Sequence, residues 1–440
     1  MKFSIAVSML VLTMASLAHG QAIPSGGTSM SPSTGPNLSS LDGVLHYALS
    51  ASEVVQFGYY GPGQVTSSTA LSGDIAYNAK STLRPFNLLF AGGVILPNQS
   101  GQSTSYFANA SVSQGYVTRK WVFNITDSVS FLPQSPTTGL SGIAGVGDQG
   151  AFPVQGPVEG PAGGIFSVAG NRVANSLGGS VERQITHDTS ISGAGSWSVL
   201  HFLDANESNG AINSAEVLGT VALNRRLDAR DSVSVNAAYS TISYSPGAGP
   251  NEPDIEIRSL GLSYQRVLSR TMSMSISGGP QWISSSNSSL IPASLNAAAS
   301  ANLSYSRGFT NASVGYLRGV NAGSGVLPGA ESDSVFASIG HTYGRKWVTS
   351  ATVGYSHSSG LTLLTSGNTA VPTHETYDTV FGGVQVTRAF TSHFSGYASY
   401  TVQNQSNNFP LGAQNALNGT SQTFGIGVTY TPRSTRLGQF

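Results

Sequence analysis

The stretch TYGRKWVTSATVGYSHSSG, Thr342–Gly360, alternates two kinds of side chain with a period of two. One set of positions, from Trp347 to Tyr355, is mostly apolar, with an aromatic residue at each end. The set between them is small and mostly polar. Successive side chains of a β-strand point to opposite faces. The stretch therefore predicts a strand with one apolar face, preceded by a turn that carries adjacent Arg and Lys residues.

The same pattern recurs along the chain from about residue 44. Strand-like runs are joined alternately by short turns containing Arg or Lys and by longer loops rich in Gly, Pro, Asn and Ser. The short turns lie near 80–84, 119–120, 183–188, 225–231, 266–270, 307, 345–346 and 388–393. The longer loops lie near 60–69, 96–103, 133–174, 202–214, 245–254, 284–292, 320–329, 358–373 and 404–419.

Eight short turns and nine long loops predict 18 antiparallel strands. A missed or additional hairpin would change the count by two, so 16 strands is the alternative. The first run, from His46, alternates poorly and leaves a helical turn open as an interpretation. Short turns on one side and long loops on the other are typical of antiparallel transmembrane β-barrels, in which the turns are periplasmic and the loops extracellular.

The composition limits the class of protein. Of the 440 residues, 39% are hydrophobic and only 9% are charged, against about 25% charged in an average soluble protein. After the N-terminus, no run of apolar residues is long enough for a transmembrane helix. If the chain crosses a membrane, it must do so as a closed barrel, because every backbone polar group needs a partner there. A secreted, soluble, β-rich adhesin remains an alternative.

Chemistry-bearing motifs are scarce. The net charge is zero, which gives no indication of nucleic-acid binding, and the absence of cysteine excludes disulfides and thiolate metal sites. The GxGxxG match at Gly145–Gly150 lies in a Gly/Pro-rich stretch with no helix to follow it, so it does not indicate a nucleotide site. We expect no cofactor, no metal and no enzymatic activity, although a Ser/His lipid hydrolase in a barrel wall is a further alternative.

The termini carry their own predictions. Residues 1–20 combine a Lys, an apolar run and small residues at Ala18 and Gly20, which predicts a signal peptide. Residues 21–43 are rich in Ser, Gly and Pro and predict a flexible N-terminal segment. The barrel is expected to span 44–432, and a periplasmic C-terminal tail to span 433–440.

The four tryptophans share the parity of the apolar face of their strands. Trp121 and Trp347 directly follow short turns, and Trp197 and Trp282 lie toward the long loops. Two levels of tryptophan predict the two aromatic girdles of a barrel in contact with outer-membrane lipid.

Positive and negative side chains are also expected to be separated between the short-turn side and the long-loop side. The short-turn side, taken together with mid-barrel residues such as Glu53, sums to about +9, and the long-loop side to about −10. Asp127 is an exception within the apolar pattern, because it shares the parity of Phe123 and Ile125.

The last strand resembles the assembly signal of bacterial outer-membrane β-barrel proteins. In TFGIGVTY, a polar Thr423 precedes Gly425 by two residues, and Val428 and Tyr430 stand three and five residues after that glycine. The resemblance implies recognition by the barrel assembly machinery and location in the outer membrane of a Gram-negative bacterium. The chain departs from the pattern in continuing ten residues beyond Tyr430.

Loop 133–174 is the longest connection, and a long structureless loop is usually functional or disordered. It is the third long loop and resembles the inward-folded constriction loop of porins, which makes Asp148, Glu159 and Arg172 candidate constriction residues. A loop that stays outside the barrel is the alternative. The sequence thus predicts a porin-like channel for passive diffusion of small hydrophilic solutes. A plugged structural or adhesive barrel without transport remains open, and the oligomeric state is not indicated.

Overall fold

The computed structural model describes most of the predicted barrel. The described residues are 44–58, 64–79, 81, 83–99, 104–132, 165, 171–203, 211–245, 254–344, 346–362, 374–408, 418–432 and 435–436. The predicted signal peptide and the segment 21–43 lie outside them. No helix within these ranges is long and apolar enough to cross a membrane.

The described chain forms one antiparallel sheet with 18 long strands of 12–15 residues and a two-residue strand at the end. The strands are β1 (Val44–Phe57), β2 (Val65–Asn78), β3 (Phe86–Pro97), β4 (Ser105–Val117), β5 (Trp121–Leu132), β6 (Arg172–Gln184), β7 (Thr189–Phe202), β8 (Asn213–Arg226), β9 (Asp231–Ser245), β10 (Ile255–Ser269), β11 (Met272–Ser285), β12 (Ser294–Arg307), β13 (Thr310–Asn321), β14 (Ala330–Tyr343), β15 (Trp347–Gly360), β16 (Thr376–Ala389), β17 (Phe394–Asn407), β18 (Gly419–Tyr430) and β19 (Thr435–Arg436).

Each long strand pairs with the next, and β18 pairs back with β1 from Leu49↔Tyr430 to Phe57↔Gln422. The sheet is therefore a closed barrel without free edges. The prediction of 18 strands is confirmed, and the alternative of 16 is wrong. The helical turn considered for the first run is also wrong, because β1 is extended throughout and is paired on both sides.

Two boundaries differ from the sequence pattern. Arg172, assigned to the long loop, is the first residue of β6 and pairs with Leu132 of β5 and Phe202 of β7, because the ladder takes in the last three residues of the predicted loop 133–174. At the C-terminus, β19 pairs with Val44 and Leu45 of β1. The pattern gave no indication of this pairing.

The antiparallel order places all eight short turns at one end of the barrel, here called the turn end, and the nine longer connections at the other, the loop end. The turn between β8 and β9 shows how such a turn is fixed. The backbone N–H groups of Arg230 and Asp231 donate to the Asp228 carboxylate, the latter at 2.8 Å, and these bonds lower the pKa of Asp228.

Glu53 does not belong to the turn-end charges. It lies near the loop end of β1, where Thr69 Oγ1 donates to its carboxylate at 2.8 Å and the Asn98 amide donates to the other oxygen. The placement of Glu53 at the turn end or mid-barrel therefore shifts toward the loop end, because Glu53 lies only four residues before the end of β1 at Phe57. This change makes the predicted charge separation between the two ends larger.

The two faces of each strand differ in exposure. On β15, Trp347, Val353 and Tyr355 are exposed, whereas Ser350 and Ser356 are buried. The apolar face thus points outward and the polar face points into the barrel. Exposed Leu, Ile, Val and Phe side chains recur on strands all around the outside, up to 65% exposure at Ile426. A soluble protein would bury these side chains, so this surface is suited to hydrocarbon.

Candidate functional site: the inner wall and the loop-end mouth

The inner wall is built mainly from small hydroxyl-bearing side chains. Neighbouring strands place them opposite each other, so that they bond in pairs across the ladder. The pairs include Ser273–Ser304 at 2.6 Å, Ser277–Ser300 at 2.7 Å, Ser313–Ser338 at 2.7 Å and Ser332–Ser358 at 2.8 Å. A hydroxyl that is hydrogen-bonded to another hydroxyl has fewer donor or acceptor positions left for other groups. Such a wall offers polar groups in the lumen weak, exchangeable contacts.

Four buried ionisable side chains of the described strands face inward. They are Asp74 on β2, Arg172 and Glu182 on β6, and Glu216 on β8. Three of the four are carboxyl groups, so this part of the wall has more acidic than basic groups. Among the described residues no group of His, Asp or Glu is arranged to hold a metal ion.

At the loop end of the barrel, apolar side chains pack together on the inner wall. The sequence predicted only polar and small side chains on that wall. This mouth cluster consists of Ile212, Ile242, Tyr244, Ile255, Ile257, Ile283, Ile291, Val320, Ala322 and Leu361. Its members come from inward positions on β9 to β11, from the end of β13 and from the adjoining loops. Ile242 and Ile255 are completely buried. The mouth over these strands is therefore filled by side chains.

The connection between β13 and β14 folds inward and completes this filling. It contains a 3-10 turn at Gly323–Gly325, and the Gly325 carbonyl accepts a hydrogen bond of 2.9 Å from the backbone N–H of Ile212. The Phe202 ring at the end of β7 lies directly against Gly325. Because β7 and β14 lie seven strands apart around the barrel, this connection, here called the mouth loop, reaches across the lumen.

Two residues of the long loop between β5 and β6 are described, Ile165 and Asn171, and Ile165 lies in the mouth. Ile165 is buried against Val326 and Leu327 of the mouth loop and Tyr377 of β16. The strands β5 and β16 stand on different sides of the barrel. Ile165 is therefore buried in the mouth, whereas the inward folding of the loop as a whole remains a prediction. Asp148 and Glu159, its two predicted constriction acids, lie outside the described residues.

The opposite part of the wall is also covered. On β16 and β17, the inward side chains of Phe381, Gln385, Gln403 and Gln405 are buried although they are large. Side chains that face a wide water-filled lumen are accessible to solvent. The inner wall along β16 and β17 therefore does not line open water, in contrast to the half-buried wall of β11 and β12.

The other predicted site residues occupy positions consistent with their expected roles, which remain predictions. All four tryptophans, Trp121, Trp197, Trp282 and Trp347, are exposed on the outer face, two toward each end. In β18, Thr423 and Gly425 face inward, whereas Val428 and Tyr430 face outward. Arg172 is buried at the loop end of the inner wall.

The mouth cluster and the mouth loop were not identified from the sequence. The available signal was a pair of apolar residues, Val326 and Leu327, inside a Gly-rich loop that has no reason to be apolar if it faces water. The alternation of residues along the chain could not predict the burial of Val326 and Leu327, because the residues that pack against them, such as Ile165 and Tyr377, are distant in sequence.

No family model and no curated protein matches this sequence. Similar solved structures include OccK2 (OpdF) of Pseudomonas aeruginosa, with 11% identity and a TM-score of 0.42 over 88% of this chain and 97% of that chain. The outer membrane protein opdK of the same organism is 7% identical, with a TM-score of 0.39 over 89% and 99% of the two chains. The siderophore receptor PirA of P. aeruginosa is 10% identical, with a TM-score of 0.38 over 88% and 80%.

At such identities and scores these structures carry no conclusion about activity, and the class of protein is defined by the barrel itself. The sheet is closed, antiparallel and 18-stranded, with short turns at one end, longer loops at the other, and an apolar outer surface. These are the features of bacterial outer-membrane β-barrels. The chain therefore has the architecture of a transmembrane β-barrel.

Proposed function

We propose that the protein is a narrow outer-membrane channel for passive diffusion of small hydrophilic solutes. The observation that carries the proposal is the wall of paired hydroxyls on β11 to β14, such as Ser277–Ser300 and Ser313–Ser338, inside a barrel with an apolar exterior. A water-filled lumen requires such a polar wall. Narrowness follows from the mouth cluster and the mouth loop.

The channel should weakly prefer cations. The buried inward charges of the described strands include those of Asp74 and Glu182 against that of Arg172. Charged groups that line a conduit concentrate counter-ions. The preference is mild, because salt screens charges over about 8 Å at physiological ionic strength.

A plugged structural barrel is the second candidate, and a specific observation favours it. The large inward side chains on β16 and β17 are buried, among them Gln403 and Gln405, so part of the lumen is not open. The two candidates differ in what happens when the mouth loop is displaced. When the mouth loop is displaced, the conductance of a channel increases. A plugged barrel, which does not conduct at first, either begins to conduct or remains non-conducting.

Gly325→Ala displaces the mouth loop with a minimal change. A Cβ at this position would lie 2.2 Å from the Phe202 ring, and the φ of +73° is itself unfavourable for alanine. Gly344→Ala is the matched control: its φ is +61°, but a Cβ there meets nothing within 4 Å, and it lies in a turn at the other end of the barrel. Both variants therefore carry backbone strain, and only one disturbs the mouth.

Single-channel recording in planar bilayers tests the proposal. We expect small, discrete conductance steps from the wild type and from Gly344→Ala, and larger or longer openings from Gly325→Ala. Silence of the wild type with conduction by Gly325→Ala would support the plugged barrel. Silence of all three proteins, with barrels that remain folded in detergent, would overturn the channel.

A further inference from the structure

On the outer face of β4 and β5, three aromatic rings stand in a row at the turn end of the barrel. Tyr116 on β4 is the register partner of Phe123 on β5, and the centres of their rings lie 6.4 Å apart. The Trp121 ring stacks on the Phe123 ring at 5.8 Å, with an angle of 12° between the two planes. All three side chains are exposed, so they form an open apolar surface at the end of the outer wall.

An arginine stands at each end of this aromatic row. The Arg84 guanidinium, just before β3, lies 5.6 Å from the centre of the Tyr116 ring. The Arg183 guanidinium, on β6, lies 5.1 Å from the centre of the Trp121 ring. An aromatic face attracts a cation but carries no net charge, so the positive charge of each arginine is left without an anion. The three rings and the two arginines are here called the turn-end patch.

The positive charge of the patch is not matched by acids of the described chain. Neither Arg84 nor Arg183 forms an ion pair with a carboxylate of the described residues. Arg119 and Lys120, in the turn between β4 and β5, are exposed and also lack such a pair. The two turns that adjoin the row, residues 79–85 and 118–120, contain no Asp or Glu. Four cations are therefore grouped at this part of the barrel.

The acids on the nearest strands are turned away or already bonded. Glu182 precedes Arg183 on β6, but it is buried and faces the lumen. Asp127 faces outward on β5, four residues beyond Phe123 toward the loop end, and it accepts a hydrogen bond from the Asn175 amide at 3.0 Å. Neither carboxylate is placed to neutralise the patch.

Two other arginines at the turn end have a carboxylate partner. Arg226 lies 3.8 Å from the Asp188 carboxylate, and Arg266 lies 3.5 Å from the Asp231 carboxylate. The turn end thus contains arginines whose charge is balanced within the chain and arginines that lie on rings with no such balance. The second kind leaves its charge available to a partner outside the chain.

The chemistry of the patch selects a partner with a negative headgroup and an apolar body. Phosphate oxygens accept hydrogen bonds from guanidinium groups, which suit them in charge and geometry. An acyl chain next to the phosphate would lie along the three rings. A zwitterionic lipid has the same phosphate, but its own cation is repelled by a group of four positive charges. Soluble phosphate has no apolar part for the rings to contact.

We propose that the turn-end patch binds anionic phospholipids at the membrane boundary, in preference to zwitterionic ones. Because Arg84 and Arg183 stand at opposite ends of the aromatic row, each guanidinium holds a phosphate of its own. The acyl chains of these lipids pack on the rings of Tyr116, Phe123 and Trp121. The proposal requires a membrane barrel, and it is independent of whether that barrel conducts.

The test measures which lipids contact Trp121 in the full-length protein reconstituted into vesicles. In the background Trp197→Phe/Trp282→Phe/Trp347→Phe, Trp121 is the one remaining tryptophan of the four. The vesicles contain equal amounts of phosphatidylglycerol and phosphatidylcholine, with either the first or the second lipid brominated as a quencher of fluorescence. We expect phosphatidylglycerol to associate at least about fivefold more tightly at low ionic strength, and added salt to reduce this preference.

The double variant Arg84→Gln/Arg183→Gln in the same background should lose most of the preference. The matched control is Arg226→Gln/Arg266→Gln, which removes the same formal charge from turn-end arginines that have carboxylate partners, and it should keep the preference. Equal association of the two lipids before any arginine is changed would overturn the proposal. Equal losses in the two double variants would also overturn it, because they would reflect the total charge of the turn end.

Two checks keep the outcome clear. Each variant must show the gel mobility of the folded barrel before boiling, and Arg183→Gln alone replaces the double variant if that variant does not fold. The fluorescence measurement needs no current. Conduction without a lipid preference therefore overturns the patch and leaves the channel standing, whereas a lipid preference in a non-conducting barrel supports the patch and overturns the channel.

Discussion

Single residues at the turn end show how the barrel is fitted to a membrane boundary. The Arg183 guanidinium lies 5.1 Å from the centre of the Trp121 ring, and that of Arg388 lies 4.9 Å from the centre of the Trp347 ring. In both cases the arginine is the register partner of the tryptophan on the adjacent strand. Such a pair lets the ring contact lipid while the cation reaches the headgroups, which is the arrangement expected of an aromatic girdle.

Asp127 is the residue that fits the outer surface least well. It faces outward on β5 between the exposed Ile125 and Val129. The structure gives it a partner, because the Asn175 amide on β6 donates to its carboxylate at 3.0 Å and to the Ser128 carbonyl at 3.0 Å. The polar group that looked misplaced in the sequence is therefore half of a bonded pair.

Removing that partner should destabilise the barrel. Asn175→Leu leaves the Asp127 carboxylate without its donor on an apolar surface, and we expect the free energy of unfolding to fall by about 1–3 kcal/mol. Guanidinium unfolding in lipid vesicles, followed by tryptophan fluorescence, measures this. In the control, the double variant Asp127→Leu/Asn175→Leu should recover most of the loss. A neutral Asn175→Leu would show that the pair contributes nothing.

Among the elements, β1 has the most pairing partners. It bonds to β2 along one edge, and to β18 and then β19 along the other. The barrel closes where β1 pairs with β18 and β19, a junction here called the seam. The length of the seam therefore depends on the C-terminal residues of the chain. Ser50 and Thr429 also bond across the seam at 3.0 Å on the inner wall.

Truncation tests whether β19 contributes to closure. A chain that ends at Pro432 loses the pairing of Thr435 and Arg436 with Val44 and Leu45, and we expect it to unfold with about 1–2 kcal/mol less free energy. A chain that ends at Arg436 keeps the pairing and should match the full chain. The guanidinium midpoint in vesicles is the measurement. Equal midpoints for both truncations would show that the pairing of β19 with β1 does not stabilise the barrel.

At the scale of the whole molecule, the distribution of apolar surface is inverted relative to a soluble protein. The outside is apolar, the inner wall is polar along most of its length, and the largest buried apolar cluster of the described residues lies at the loop-end mouth. A closed sheet leaves no unpaired strand edge, so every backbone group of the long strands can be satisfied in a medium without water.

The folded protein should therefore require detergent or lipid to stay in solution, and it should not be unfolded by a denaturing detergent unless it is heated. Unboiled samples are expected to migrate differently from boiled samples on a denaturing gel, and the β-type circular dichroism should disappear only on heating. The control is the same protein boiled and then cooled in detergent, whose mobility reports refolding. A monomer that stays folded in buffer without detergent would contradict a membrane barrel.

Local sequence was sufficient for the barrel wall. Alternation at a period of two, as in Trp347–Tyr355, depends only on which face each side chain takes, and the strand geometry imposes that directly. Turn residues such as those around Asp228 mark the strand ends for a similarly local reason. The number of strands, the orientation of their faces and the positions of the four tryptophans were therefore all accessible from the sequence.

Tertiary structure alone decided what occupies the lumen. The contact of Gly325 with Phe202 and the burial of Ile165 against Tyr377 both join residues from distant parts of the barrel. No local pattern encodes such contacts, because they depend on the diameter of the closed barrel and on the direction that each loop takes across its mouth. The sequence by itself determined a barrel with a polar interior, and the closure of the sheet determined how much of that interior is open.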